Sequence, residues 1–205
     1  MADYKGIKGF TLQFLATDPT TNEGQTWYNS TTKLAKYSVV NSADAWATTG
    51  SMSTGRGSAN AAGITTAALV FGGSPPGGGT DATEEFNGSS WTGGGNLGTA
   101  RYAGASGGVQ TAAFLAGGGF PNKNETELYN GSSWTASGNL STARRGLAGS
   151  GTTSAGLAFG GYTSTYSTAT EEFGGSSWTG GGNMATGRNS LAGCGTQTAG
   201  LAIGG

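Results

Sequence analysis

Residues 83–118 read TEEFNGSSWTGGGNLGTARYAGASGGVQTAAFLAGG, and the chain repeats this stretch twice more. Residues 126–161 read TELYNGSSWTASGNLSTARRGLAGSGTTSAGLAFGG, and residues 170–205 read TEEFGGSSWTGGGNMATGRNSLAGCGTQTAGLAIGG. An eroded copy occupies residues 46–73. Trp46, Trp91, Trp134 and Trp178 stand 45, 43 and 44 residues apart. Arg56, Arg101, Arg144 and Arg188 keep the same steps, as do the diglycines Gly72-Gly73, Gly117-Gly118, Gly160-Gly161 and Gly204-Gly205. Three landmarks in one phase define a period in the forties, the mark of a modular architecture.

Within one unit, Glu85-Phe86 and Ser90-Trp91 flank Asn87-Gly88. An Asn-Gly pair between two short extended runs predicts a hairpin whose two turn residues both take positive φ. Asn130-Gly131 and Gly174-Gly175 hold the same place in the later copies. A Gly-rich loop follows the Trp, then Thr99-Ala100-Arg101, then two more runs, residues 102–106 and 111–116. Each unit therefore predicts four short strands. No window carries a helical period, and Gly is too dense for a useful helix.

Four short antiparallel strands at this period make one propeller blade. The units resemble kelch repeats. The resemblance rests on an apolar run ending in Gly-Gly (Leu157-Ala158-Phe159-Gly160-Gly161), on an aromatic followed by Trp (Phe86 and Trp91, Tyr129 and Trp134, Phe173 and Trp178), and on Leu140-Ser141-Thr142-Ala143-Arg144 leading into the next unit. It covers about residues 46–205 and implies an all-β propeller of four-stranded blades. It implies no particular function, since one fold hosts many. The strands are rich in Ala, Gly, Ser and Thr, which bury little area at about 25 cal/mol per Å². Close approach of neighbouring sheets and packing on the repeated Trp are expected to contribute more.

The order of pieces suggests how a ring would close. Residues 34–37 read as a third strand and Ala45-Trp46 as a fourth, and joining them to the last two strands would complete a blade. That count gives about four blades, the last built from both termini, which would remove exposed edges. The kelch family more usually has six or seven. A partial propeller completed by a longer chain or by an oligomer, and a repeat solenoid, stay open as alternatives.

The chain has 205 residues, ten basic and eleven acidic, for a net charge of −1. No basic patch predicts a nucleic-acid partner. The expected domains are a leader, residues 1–44, and a repeat domain, residues 45–205. Four of the five lysines fall in the leader. Its first residues lack the apolar core of a signal peptide or a membrane span, so synthesis in a cytosol without membrane insertion is expected. Residues 9–16 read as a strand and residues 18–24 as a turn. Residues 25–28 and 34–37 read as a hairpin across residues 29–32.

Residues 23–32, EGQTWYNSTT, resemble a segment common near the start of tail-fibre and other virion proteins of bacteriophages, where Gly-rich kelch-like repeats often follow in phages of marine bacteria. This resemblance implies a virion structural protein, with other virion proteins as partners. Trp27, Tyr28 and Tyr37 are then docking candidates; equally, they could form an aromatic cap on the repeats.

Histidine is absent, which excludes Ser-His-Asp and Cys-His catalysis and imidazole metal sites. No catalytic, metal or cofactor residue is expected, and the protein reads as a non-enzyme. Cys194 stands where other copies have Ser106 and Ser150, and is expected to be small and buried. Gly93-Gly94-Gly95 and Gly180-Gly181-Gly182 lack the Lys and helix of a phosphate loop. Glu84, Glu127 and Glu171 each precede a Trp by seven residues, and an Arg follows each Trp by ten. Each Glu is expected to pair with a repeated Arg and fix blade register. The expected function is a tail-fibre, head-fibre or decoration-type virion protein, which either binds a host-surface glycan or equally decorates or reinforces the particle with no ligand; homo-oligomerisation is compatible. The alternative is a cellular kelch-type interaction module.

Overall fold

The computed structural model describes residues 13–15, 26–37 and 48–205. The chain divides into two compact units, Met1–Thr48 and Thr49–Gly205. In the first, β1 (Gln13–Leu15), β2 (Thr26–Asn29) and β3 (Leu34–Tyr37) form one sheet in that order. The expected hairpin is present: β2 and β3 pair antiparallel, Asn29 opposite Leu34. Asn29 Oδ1 accepts the amides of Thr31 and Thr32 at 3.0 and 2.9 Å, folding the connection back on itself. β1 lies parallel to β2, a pairing the sequence does not signal. The expected turn at residues 18–24 lies outside the described residues, as does Ala45-Trp46.

The second unit is all β. Its first sheet runs β4 (Asn60–Ile64), β5 (Ala67–Phe71), β6 (Thr83–Phe86), β7 (Trp91–Gly93). The second runs β8 (Ala105–Val109), β9 (Ala112–Gly118), β10 (Lys123–Tyr129), β11 (Trp134–Ser137). The third runs β12 (Arg145–Gly151), β13 (Gly156–Tyr162), β14 (Thr170–Phe173), β15 (Trp178–Gly180). A final hairpin joins β16 (Ala192–Gly195) to β17 (Gly200–Ile203). Every pairing in these sheets is antiparallel between sequence neighbours, so each four-stranded sheet is a blade-like meander.

β4, β8, β12 and β16 are the inner strands, and each lies beside the next. A chain of backbone hydrogen bonds links their leading ends. Ala103 N donates to Ser58 O at 2.9 Å, Gly146 N to Ala103 O at 2.7 Å, and Ser190 N to Gly146 O at 2.8 Å. Ser58, Ala103, Gly146 and Ser190 are equivalent positions, and all four take positive φ. The arrangement is propeller-like, but the ring is not closed among the described residues.

The sheets pack face to face, and the middle one shows why small residues suffice. Ala113, Leu115 and Tyr129 join Leu69, Phe71 and Leu97 in one core. Ala105, Phe114 and Ala116 join Leu140, Leu147 and Ala158 in another. Alternate residues of β9 thus face opposite neighbours, and the strand is buried on both sides like the core strand of a layered fold.

Three expectations change. First, the hairpin after Phe86 is a four-residue loop, with Phe86 opposite Trp91 and Gly88 at φ 95°. Asn87 does not share the positive φ of a two-residue turn. Its Oδ1 instead accepts the amides of Ser89 and Ser90 at 3.0 and 2.9 Å, so the side chain rather than the backbone closes the loop. Second, the inner strand of the second blade starts at Ala105 rather than residue 102, because residues 101–103 first cross from the preceding sheet. Third, the composite blade is not closed among the described residues: β3, expected as its third strand, pairs with β2, its local hairpin partner, and the expected fourth strand lies outside them. Among the described residues β16 and β17 pair only with each other.

Candidate functional site

Arg56, Arg101 and Arg144 each enter their blade from the connecting segment, with the side chain buried under it. Arg101 Nη2 donates to Glu127 Oε1 at 2.7 Å, and Arg144 Nη2 to Glu171 Oε1 at 2.8 Å. Arg56 pairs with Glu84 in the same way. Each Glu stands on the third strand of the blade its Arg introduces, so the pairing lies within a blade. The second carboxylate oxygen accepts an amide three residues before the Arg: Ser53 at 2.8 Å, Gly98 at 2.6 Å and Ser141 at 2.8 Å. The other guanidinium arm reaches backbone carbonyls, Gly160 at 2.9 Å and Ala169 at 2.8 Å for Arg144.

The Arg backbone faces the preceding blade. Gly73 N donates to Arg101 O at 3.0 Å, and Gly118 N to Arg144 O at 2.8 Å. This crossing explains the diglycines. Gly72 takes φ 61°, and a Cβ there would lie 2.3 Å from Arg101 O. Burial pulls the pKa of Arg101 and Arg144 down, while Glu127 and Glu171 pull it back up. Paired and hydrogen-bonded, these guanidiniums hold position; they are closed to a ligand.

Trp134 and Trp178 join neighbouring blades. Trp134 Nε1 donates to Thr83 Oγ1 at 2.9 Å, and Trp178 Nε1 to Thr126 Oγ1 at 2.9 Å, in each case on the third strand of the blade before. Trp134 packs on Phe71 at 4.7 Å between ring centroids, and Trp178 on Phe114 at 6.0 Å. Each also stacks on the aromatic of its own hairpin, Tyr129 or Phe173. The Tyr129 hydroxyl donates to Glu85 of the first blade. Burial first, and then this bond and the Glu85 charge, push its pKa up to about 12.

Other candidates fall out differently. Among the described residues no Glu pairs with Arg188; its Nη1 donates to Gly204 O at 2.6 Å. Cys194 is exposed rather than buried. The hydroxyl of its counterpart Ser150 reaches Thr196 O in the next hairpin at 3.4 Å, whereas no further sheet covers β16 among the described residues. Trp27 and Tyr28 lie on β2 and Tyr37 on β3. Among the described residues no group of three or more Cys, Asp or Glu is placed to hold a metal ion.

The residues that break the repeat gather on one loop face. The β9–β10 and β13–β14 connections bring together Phe120, Asn122, Tyr162 and Tyr166 around Arg145. The Arg145 guanidinium carbon lies 5.1 Å from the Phe120 ring and 4.9 Å from the Tyr162 ring. Asn122 holds it in place: Arg145 Nη1 donates to Asn122 Oδ1 at 2.7 Å, and Asn122 Nδ2 donates to Tyr162 O at 2.9 Å. Tyr166 packs edge-on to Tyr162 at 6.0 Å. Phe120 is 73 % exposed and Tyr166 65 % exposed. Rings and a fixed guanidinium at the surface offer stacking faces and spare N–H donors together. The loops at residues 120–121 and 162–166 stand out in the sequence as variable between copies, but Arg145 and Asn122 do not. Arg145 sits beside a landmark, and only its mismatch with Gly57, Tyr102 and Asn189 at the same phase could have marked it.

A second concavity, about 370 Å³, opens where the inner strands meet, lined mainly by Gly, Ala and Ser. Asn60 stands in its wall, with Oδ1 accepting Gly104 N at 3.1 Å. Comparison of the chain with models of known protein families and with curated proteins gives no match.

Proposed function

We propose that this chain is a kelch-like display protein of a bacteriophage particle, binding host-surface carbohydrate through the loop face around Arg145. The observation that carries the binding half is the exposed cluster of Phe120, Tyr162 and Tyr166 around a guanidinium held by Asn122. Sugar rings present apolar C–H faces to aromatic rings and hydroxyls to N–H donors, so this pairing of groups suits them. The three Arg–Glu pairs and the indoles of Trp134 and Trp178, by contrast, are engaged in holding the blades. The particle half rests on the resemblance of residues 23–32 to virion proteins; the leader would meet other virion proteins. The role is binding and structural, without catalysis or cofactor.

Immunogold electron microscopy of purified particles with antibody to residues 80–205 tests the location. Label at a tail or fibre tip supports host recognition. Label over the shell makes the chain a decoration protein, and no label on particles favours a cellular interaction module. A glycan array tests the ligand. Binding that falls at least tenfold in Phe120→Ala and Arg145→Met, with unchanged folding, supports the site. Absence of any glycan signal from the intact chain removes the carbohydrate reading.

A further inference from the structure

The position of Arg145 recurs in each unit, filled elsewhere by Gly57, Tyr102 and Asn189, so a single unit places a guanidinium there. The first blade's counterpart of the two aromatic connections, residues 74–79, reads SPPGGG and brings no ring. Backbone as well as side chains set the place of Arg145. It opens β12 opposite Tyr162 on β13, and Tyr162 bridges in turn to Tyr166. Asn122 Nδ2 donates to Tyr162 O at 2.9 Å and to Thr163 O at 3.1 Å, which leaves Asn122 Oδ1 turned to Arg145 Nη1. The guanidinium is thus held on two strands and one fixed amide before any ligand arrives.

Its charge is not answered. Neither connection, residues 119–122 or 163–169, holds Asp or Glu, and no ion pair among the described residues includes Arg145. Glu125, the next acid along the chain from Asn122, turns elsewhere: its Oε1 lies 3.9 Å from Lys123 Nζ, and its Oε2 accepts the Asn124 amide at 3.1 Å. Arg101 and Arg144, by contrast, are each met by a buried Glu. A guanidinium carries five N–H donors and no acceptor. One of them goes to Asn122, and the others meet no acceptor among the described residues. A group that only donates and bears an unanswered positive charge matches a group that only accepts and is negative. A carboxylate is such a group, and its two oxygens fit the guanidinium fork. Neutral sugar hydroxyls donate as well as accept, and the charge gives them little.

We infer that the loop face around Arg145 selects acidic sugars, those whose ring bears a carboxylate. The carboxylate meets the free N–H groups of Arg145, and the apolar C–H face of the same sugar ring lies on Phe120, which touches the guanidinium and is exposed. The inference rests on the carbohydrate reading of this face and names the class of sugar the face takes.

The probes are sialyllactose, a tetrasaccharide of alternating glucuronic acid and N-acetylglucosamine, and the carboxyl-reduced form of each, titrated into the intact chain and followed by NMR. Reduction turns the carboxylate into a hydroxymethyl group and keeps the ring, so each pair isolates the charge. The expected result is that at least one acid binds about tenfold or more tightly than its reduced form, by an amount that shrinks as salt is added. Which acid shows it separates a sialic from a uronic ligand. Arg145→Met should abolish the preference, and Arg145→Lys, which keeps the charge without the fork, should restore only part of it. Urea midpoints of both variants near that of the parent establish that folding is intact. Equal binding of acid and reduced forms, weakened in Phe120→Ala, overturns the acidic class and leaves the carbohydrate reading standing. A preference that survives Arg145→Met overturns the assignment to this residue. Acetate that competes as well as the matching sugar shows a carboxylate held without its ring, and overturns the sugar. Absence of binding by every probe, acid and reduced, overturns the inference; only a silent glycan array also removes the reading beneath it.

Discussion

Arg144 makes four bonds with one side chain and one carbonyl, which is why a charge can stand at 1 % exposure inside a blade of small residues. Its Nε has no protein partner, so the pair carries a desolvation cost that its other contacts offset. Removing one member should therefore cost more than removing both. Glu171→Ala is expected to destabilise by about 3–5 kcal/mol, because it strands a buried guanidinium. Arg144→Met with Glu171→Met should cost clearly less than the sum of the single changes, as read from urea midpoints in a double-mutant cycle. Tyr129 gives a second test. Its folded pKa lies above the ordinary 10, at about 12, so the native state keeps the proton longer than the unfolded chain. That contribution is whole below about pH 10 and is lost as pH rises toward 12. The difference in stability between the parent and Tyr129→Phe should be flat to pH 10 and shrink above it. Phe is tolerated at this place in the other two copies, Phe86 and Phe173, so the variant should fold.

At the level of elements, the Asn-Gly-Ser-Ser loop offers a stabilising change. Asn87 and Asn130 each accept two loop amides, but the third copy has Gly174, where the same amides belong to Ser176 and Ser177. Gly174 does not take positive φ, and a Cβ there meets nothing within 4 Å. Gly174→Asn should raise stability by about 0.5–1 kcal/mol, by supplying the acceptor and restricting the unfolded chain. A lowered melting temperature would show that the side chain does not close this loop. The same hairpins show what could be read in advance. The strand number per blade and the Glu–Arg pairing were legible, because both follow from residues in fixed phase. The turn type was not, since Asn-Gly suits both a two-residue turn and a side-chain-closed loop. The loop cluster was half visible: Phe120 and Tyr162–Tyr166 break the repeat, while Arg145 hides next to a residue that keeps it.

For the whole second unit, stability should be graded along the row of sheets. β9 is buried on both faces by neighbouring sheets, with Phe114, Leu115 and Ala116 fully covered. β16 and β17 have a neighbour on one side and an open outer edge among the described residues. When each module contacts only its neighbours, opening free energies fall toward the least covered end. The amides of β9 should then exchange with solvent last and those of β16 and β17 first, with β13 between them. Trp178→Ala removes the indole bond to Thr126 and the contact with Phe114, so it should loosen the third blade and the last hairpin together while leaving β5 protected. Native-state hydrogen exchange followed by NMR or mass spectrometry reads this directly. Uniform protection from β5 to β17, lost all at once in Trp178→Ala, would mean that the sheets unfold as one unit and that the indole bridges do not set the boundaries between them.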